Sequence, residues 1–117
     1  MAIKIKRVYN QPEDSDGIRV LVDCLWPRGL PKEKAQVDEW LKEIAPSGEL
    51  RKWFGHKSER WHEFRQRYGE ELKSSDKQEL VQRLRTLAKK GTVTLLFGAK
   101  DAEHNNAKVL VDVLKRR

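Results

Sequence analysis

Ile18-Arg19-Val20-Leu21-Val22-Asp23-Cys24-Leu25-Trp26-Pro27-Arg28-Gly29-Leu30-Pro31 is the stretch that decides how this chain folds. Its opening, Ile18 to Val22, reads as a buried strand. Ile18, Val20 and Val22 share one face, and Arg19, Leu21 and Asp23 share the other. On that alternation Cys24 falls with the core-facing set. The rest is a loop carrying a carboxylate, an indole and a guanidinium, punctuated by Pro27 and Pro31. Each proline pushes the residue before it toward extended geometry, so the loop is stiff. A stiff polar loop at the C-terminal end of an inner strand is where α/β folds place their ligand sites.

Upstream, Ile3 and Ile5 alternate with Lys4 and Lys6, and Val8 follows, which predicts a short strand with one wet face. Asn10 to Gly17 is a polar loop or turn. Downstream, Val37, Trp40, Leu41 and Ile44 lie at helical spacing and predict one or two short helical pieces within residues 32–44. Ser47 or Gly48 caps a short helix that runs through Leu50 to Phe54 and ends at Gly55. Ser58 is expected to cap the next helix, whose stripe is Trp61, Phe64, Tyr68 and Leu72.

Ser75-Asp76-Lys77-Gln78 has the form of a capping box. It opens a helix with Leu80, Val81, Leu84, Leu87 and Ala88 inward, closed by Lys89-Lys90-Gly91. Thr92 to Phe97 reads as a central strand covered on both faces. Asp101 is expected to cap the last helix, buried through Ala107, Leu110, Val111 and Leu114, with Lys115, Arg116 and Arg117 at its C-terminal end. The order predicts a small layered α/β domain over residues 1–117. Its short, mostly parallel sheet has about three to four strands packed by about five helices.

With 117 residues, there is room for a single core. Hydrophobic residues make up 38% and charged residues 37%, so an ordinary core sits under a heavily charged surface. A net charge of +7 and a pI near 9.7 favour anionic partners. Cys24 is the only cysteine, which rules out an internal disulfide and fits a reducing, cytoplasmic setting. Met1-Ala2-Ile3-Lys4-Ile5-Lys6 lacks the apolar core of a secretory signal, and no segment approaches the ~20 apolar residues of a membrane helix. Nucleotide-binding glycine loops and the hydrolase elbow are absent, and neither a metal nor a cofactor is expected.

Four blocks together resemble a known family. They are Asp23-x-Leu25-Trp26-Pro27-Arg28-Gly29; Ala45-Pro46-Ser47-x-Glu49-Leu50-Arg51-Lys52-Trp53-Phe54-Gly55-His56; Arg60-Trp61-x-x-Phe64-x-x-Arg67-Tyr68; and Thr94-Leu95-Leu96-Phe97-x-Ala99-Lys100-Asp101-x-x-His104-Asn105-x-Ala107. The chain is similar along nearly its whole length to the YeaO-like proteins, domain of unknown function family 488. The resemblance implies an α/β domain of about this size and supplies no reaction. This chain departs from the family pattern at Cys24, where an arginine is common, and at Asn106, where a second histidine is common. The first departure weakens a mechanism needing two guanidiniums in the loop; the second weakens a metal site built on paired histidines.

If the strands ending near Asp23 and Phe97 are parallel neighbours, their loops meet. Asp23, Trp26 and Arg28 then face Lys100, Asp101, His104 and Asn105. Arg28 and Lys100, with Arg51 or Arg65 from the helical layer, would hold an anion, and Asp23, His56 or His104 would move a proton. Each has a plainer role. Arg28 can clamp Asp23 or loop carbonyls, Trp26 can pack against the next helix, and His56 can cap the helix before it. His104 can simply hydrogen-bond Asp101, and Cys24 can be a buried, inert thiol.

Three functions remain, the plainest of them a protein-interaction domain with no small-molecule or nucleic-acid ligand. Another is a pocket at the strand ends for a phosphate- or carboxylate-bearing small molecule or nucleotide, with or without turnover. The alternative is a sequence-nonspecific nucleic-acid surface made of Arg51, Lys52, Arg60, Arg65 and Arg67 with interleaved aromatics.

Overall fold

Two apolar strands side by side set the architecture of the computed structural model, which describes residues 2–116. The strands are β1 (Ile3–Arg7), β2 (Ile18–Leu21), β3 (Glu39–Trp40) and β4 (Val93–Phe97). They form one sheet in the order β1-β4-β2-β3 with every neighbouring pair parallel. Leu95 of β4 stands opposite both Ile5 and Val20, so β4 is the inner strand, buried along its whole length. Helices α1 (Lys32–Ala35), α2 (Gly48–Phe54), α3 (Trp61–Glu71), α4 (Ser75–Lys90) and α5 (Asn106–Lys115) complete a small α/β unit.

The alternation along β2 splits the core in two. Val20 and Val22 join Val93, Leu95 and Phe97 against Phe54, Phe64, Tyr68, Leu84 and Leu110 of the helical layer. Leu21 turns the other way, to Leu96, Val8 and Ala35, with Trp26, Leu30 and Val37 closing over them. Burying each such side chain contributes about 1.5–3 kcal/mol, so the larger layer dominates stability. Tyr68 lies at the centre of that layer and satisfies its hydroxyl by donating to the Ile44 carbonyl at 2.6 Å.

The loop before β2 contains a short 3-10 turn, Asp14–Asp16, that seals the N-terminal edge of the sheet. Asp16 is 2% exposed and pairs with Arg19 at 2.5 Å and Lys6 at 2.8 Å, and it accepts the Glu13 N–H at 3.1 Å. Arg19 spends its other donors on the carbonyls of Ala35 and Gln36. Gly17 follows at φ 65°, where a β-carbon would stand 2.2 Å from the Thr92 carbonyl oxygen; only glycine fits.

Several local expectations are corrected. Residues 32–44 do hold two short helical pieces, α1 and a 3-10 turn at Lys42–Ile44, but Trp40 between them is in a strand. Gln36 takes a left-handed conformation after α1, and Asp38 and Leu41 then donate to the free carbonyls of Arg19 and Leu21, making β3. Sheet pairing overrides periodicity there. Ser47 caps α2 and Gly55 ends it, as expected. Ser58 instead lies in a 3-10 turn, Ser58–Arg60, leading into α3.

The capping box at Ser75 does not form. The helix begins one residue earlier than the box requires, and Gln78 donates its side-chain amide to the Leu72 carbonyl. Asp101 does not cap α5; Asn105 does, accepting the Lys108 N–H at 3.0 Å. Met1, and Arg117 at the end of the C-terminal cationic run, lie outside the described residues.

Candidate functional site

Beyond the C-terminal ends of β2 and β4 lies a cleft of about 490 Å³. Parallel pairing makes both strands end at the same edge of the sheet, where the loops that follow them begin side by side. Asp23 sits half-buried at the inner end. Its Oδ2 accepts the Gly98 N–H at 2.7 Å, which ties the loop after β2 to the loop after β4. A β-carbon at Gly98 would stand 3.2 Å from that oxygen, a tighter approach than most side chains accept. The Asn106 amide donates to the Val22 carbonyl at 3.0 Å and hooks the start of α5 onto the same corner.

Burial pushes the Asp23 carboxyl above its ordinary value, and the Gly98 N–H, the Asn106 amide, His56 and Arg51 only partly offset this. Oδ1 of Asp23 forms no hydrogen bond of good geometry to the protein. Asp23 lines the cleft, with the Asn106 amide beside its carboxyl.

The rim is cationic. Arg51 and Lys52 project from α2, whose Ser47 cap and left-handed Gly55 end fix its short length. Arg51 donates Nε to the Pro46 carbonyl at 3.2 Å, which steadies the stem and leaves its terminal nitrogens available. His56 is exposed on the rim at φ 57°, with its ring 6.1 Å from Phe54. His104 enters from the other side, its Nδ1 2.8 Å from Asp101 Oδ2 and its ring edge-on to Trp61 at 5.2 Å. That contact holds the Asp101 carboxyl below its ordinary value and leaves His104 Nε2 as the free ring nitrogen. Between floor and rim the lining is apolar: Ala45, Pro46, Phe54 and Phe64.

Of the residues singled out from sequence, the cleft gathers Asp23, His56, His104, Arg51 and Asn105. Asp101 acts on it through His104. Asn105 is 3% exposed, and both ends of its amide serve the backbone, accepting from Lys108 and donating to the Asp101 carbonyl at 3.0 Å.

The cleft does not gather Trp26, Arg28, Lys100 or Arg65. Past Asp23 the loop swings to the opposite face of the sheet. There Trp26 donates to the Leu30 carbonyl at 2.7 Å and meets Trp40 edge-on. The Arg28 carbonyl accepts the Tyr9 hydroxyl at 3.0 Å, which holds that turn near β1 with the guanidinium in solvent. Lys100 is also exposed, and Arg65 pairs with Asp112 of α5 at 3.3 Å.

Cys24 is half-buried at the edge of the cleft instead of lying in the core. The alternation that placed it inward ends when the chain leaves the sheet after the Val22 N–H pairs with Leu96. Lys52 and Asn106 also line the cleft. Lys52 carried no periodic signal, while Asn106 stood out in the sequence as a departure from the family pattern.

On the α2–α3 surface Arg60 and Arg67 are already engaged. The Trp53 ring lies between the Arg60 and Arg67 guanidiniums, at 5.3 and 4.5 Å. Arg60 also bonds the Trp53 carbonyl, and Arg67 pairs with Glu63. Among the described residues no group of three or more His, Cys, Asp or Glu side chains could hold a metal ion, and no helix is long and apolar enough to cross a membrane.

Residues 2–117 match the family model described as the inactive DUF488-N3 subclade. The chain is 47% identical over 115 residues to the uncharacterized protein YeaO of Escherichia coli, covering 98% of each. It is 39% identical to uncharacterized proteins of Mycobacterium bovis and Mycobacterium tuberculosis, covering 98% of this chain and 95% of theirs. No solved structure matches it significantly.

Proposed function

The chain belongs to the DUF488 family, within the subclade described as inactive, and from that premise we propose that it binds a small anionic molecule without turning it over. The ligand bears a phosphate or a carboxylate and occupies the cleft at the strand ends. One observation carries the reading: Arg51 and Lys52 both line a part-apolar cleft of ligand size, within the range of about 300–1,000 Å³ typical of such sites.

The departures at Cys24 and Asn106 fit the word inactive. A second loop guanidinium and a second histidine would add an electrophile and a proton donor at this corner, and the chain has a thiol and an amide there instead. His104 and Asp101 form a carboxylate–imidazole pair at the cleft, and it serves here to fix a hydrogen-bonding nitrogen. The excess positive charge attracts such a ligand from solution, and a cytoplasmic location, where phosphorylated metabolites are abundant, goes with it. A nucleic-acid surface over residues 51–67 has less support, because three of its guanidiniums are engaged by the protein.

Thermal unfolding with a panel of phosphate- and carboxylate-bearing compounds tests the proposal. A ligand at ~100 times its Kd adds about 2.7 kcal/mol to stability. The double substitution Arg51→Ala, Lys52→Ala should abolish that gain while leaving the unliganded melting point nearly unchanged. A gain that survives the double substitution places the ligand elsewhere.

A further inference from the structure

We infer that the ligand lies in the cleft with a fixed polarity: a nitrogen-bearing hydrogen-bond donor inward against Asp23, and its anionic group outward between Arg51 and Lys52. This rests on the proposed binding site and adds which way round its occupant sits. The inner end of the cleft is unsuited to an anion. The Asp23 carboxylate lines that end, with the Gly98 N–H on Oδ2 and the Asn106 amide beside it. Two acceptors would therefore meet if a phosphate or carboxylate were pushed to the floor. An N–H or amino group there adds a donor to a carboxylate, one of the stronger hydrogen bonds available.

The rim has the opposite character. Arg51 and Lys52 are exposed donors, and the Pro46 carbonyl holds only the Nε of Arg51. Between them Phe54 and Phe64 supply a flat apolar wall, stacked at 4.3 Å. The lining therefore offers an acceptor at the strand ends, an apolar wall, and cations on α2. A compound with the matching order is a planar amino- or amide-bearing ring joined to a phosphate. The nucleoside monophosphates with an amino-substituted base are of this class. The elevated carboxyl of Asp23 supports the assignment, since an inward donor would relieve the cost of its burial.

Three probes separate the polarity from the site itself: inorganic phosphate, guanosine, and guanosine monophosphate, each titrated calorimetrically. The nucleotide should bind at least tenfold more tightly than phosphate. Arg51→Ala should weaken both nucleotide and phosphate. Asp23→Asn should weaken nucleotide and guanosine about tenfold while leaving phosphate unchanged. If Asp23→Asn instead tightens nucleotide and phosphate alike, the anion lies inward and the polarity is overturned, although the site stands. If no probe binds the unaltered chain, the polarity falls, while the site itself is decided by the wider phosphate and carboxylate panel.

Should Asp23→Asn unfold, nuclear Overhauser contacts on the unaltered protein decide the matter. Base protons close to Phe64 and Ala99 sustain the inference. Ribose protons at those residues, with the base free in solvent, overturn it.

Discussion

Asp16 and Asp23 stand at the two ends of the same strand, and their surroundings are opposite. Asp16, just before β2, is sealed by Arg19, Lys6 and the Glu13 N–H. Burial alone would lift its carboxyl, but those donors outweigh it and hold the group below its ordinary value. Asp23, just after β2, has the Gly98 N–H and the Asn106 amide but no directly paired cation, and burial lifts it. One carboxylate is a closed knot that fixes the fold; the other is left open at a cost. An incompletely satisfied polar group held in place by its surroundings is what a binding site requires and what an architectural contact avoids.

The largest test of this contrast is a pair of substitutions. Asp16→Ala leaves Arg19 buried without its partner and should cost about 3–5 kcal/mol in urea unfolding at pH 7. Asp23→Asn keeps an acceptor for Gly98 and should cost nothing, or stabilise slightly. Equal losses at the two sites would erase the distinction.

A smaller effect sharpens the boundary of the open end. Asn105 lines the cleft, yet its amide is used up as a helix cap, so Asn105→Ala should lower stability by about 1 kcal/mol. Ligand affinity should then follow that loss of stability and no more. Loss of binding with stability intact would move Asn105 to the ligand-contacting set.

The smallest effect is in the pH dependence, and the two carboxylates give it opposite signs. Asp16, depressed in the folded protein, contributes stability above the ordinary carboxylate range near pH ~4, and this is lost as pH falls through its lowered value. Asp23, elevated in the folded protein, holds its proton longer than the unfolded chain does. Stability therefore drops as pH rises from ~4 through its raised value, then levels off. Asp23→Asn should remove that upper decline, and its advantage over the unaltered chain should grow with pH across the window. A constant difference between the two melting curves would mean that Asp23 is not elevated.

Much of this layout was legible in the residues. β2 and β4 announce themselves as continuous apolar runs, and their parallel pairing follows from the long helical connection between them. The pairing brought Asp23 to Gly98 and, through the next turn, to His104. β3 was hidden because two residues held by main-chain bonds leave no side-chain signature, and Trp40 fitted a helical spacing equally well. The start of α5 was misplaced because Asp101 and Asn105 are both good capping residues; the nearer one to the strand only folds a turn around His104.

Alternation carried Asp23 correctly but could not say to which side a proline-bound loop departs. Trp26 and Arg28 therefore left the cleft unannounced. His56 and Arg51 were legible as polar residues set between aromatic helices. Lys52 beside them had only its charge to show.

The brevity of β3 also bears on how this molecule behaves in a crowd. Two residues give a neighbouring chain almost nothing to pair with, and on the far side β1 carries Lys4 and Lys6, whose ammonium groups fold back onto the Asp14–Asp16 turn and its flanks. Neither margin of the sheet is a long bare template for strand addition, so the protein should resist polymerising through its β-structure even when highly concentrated.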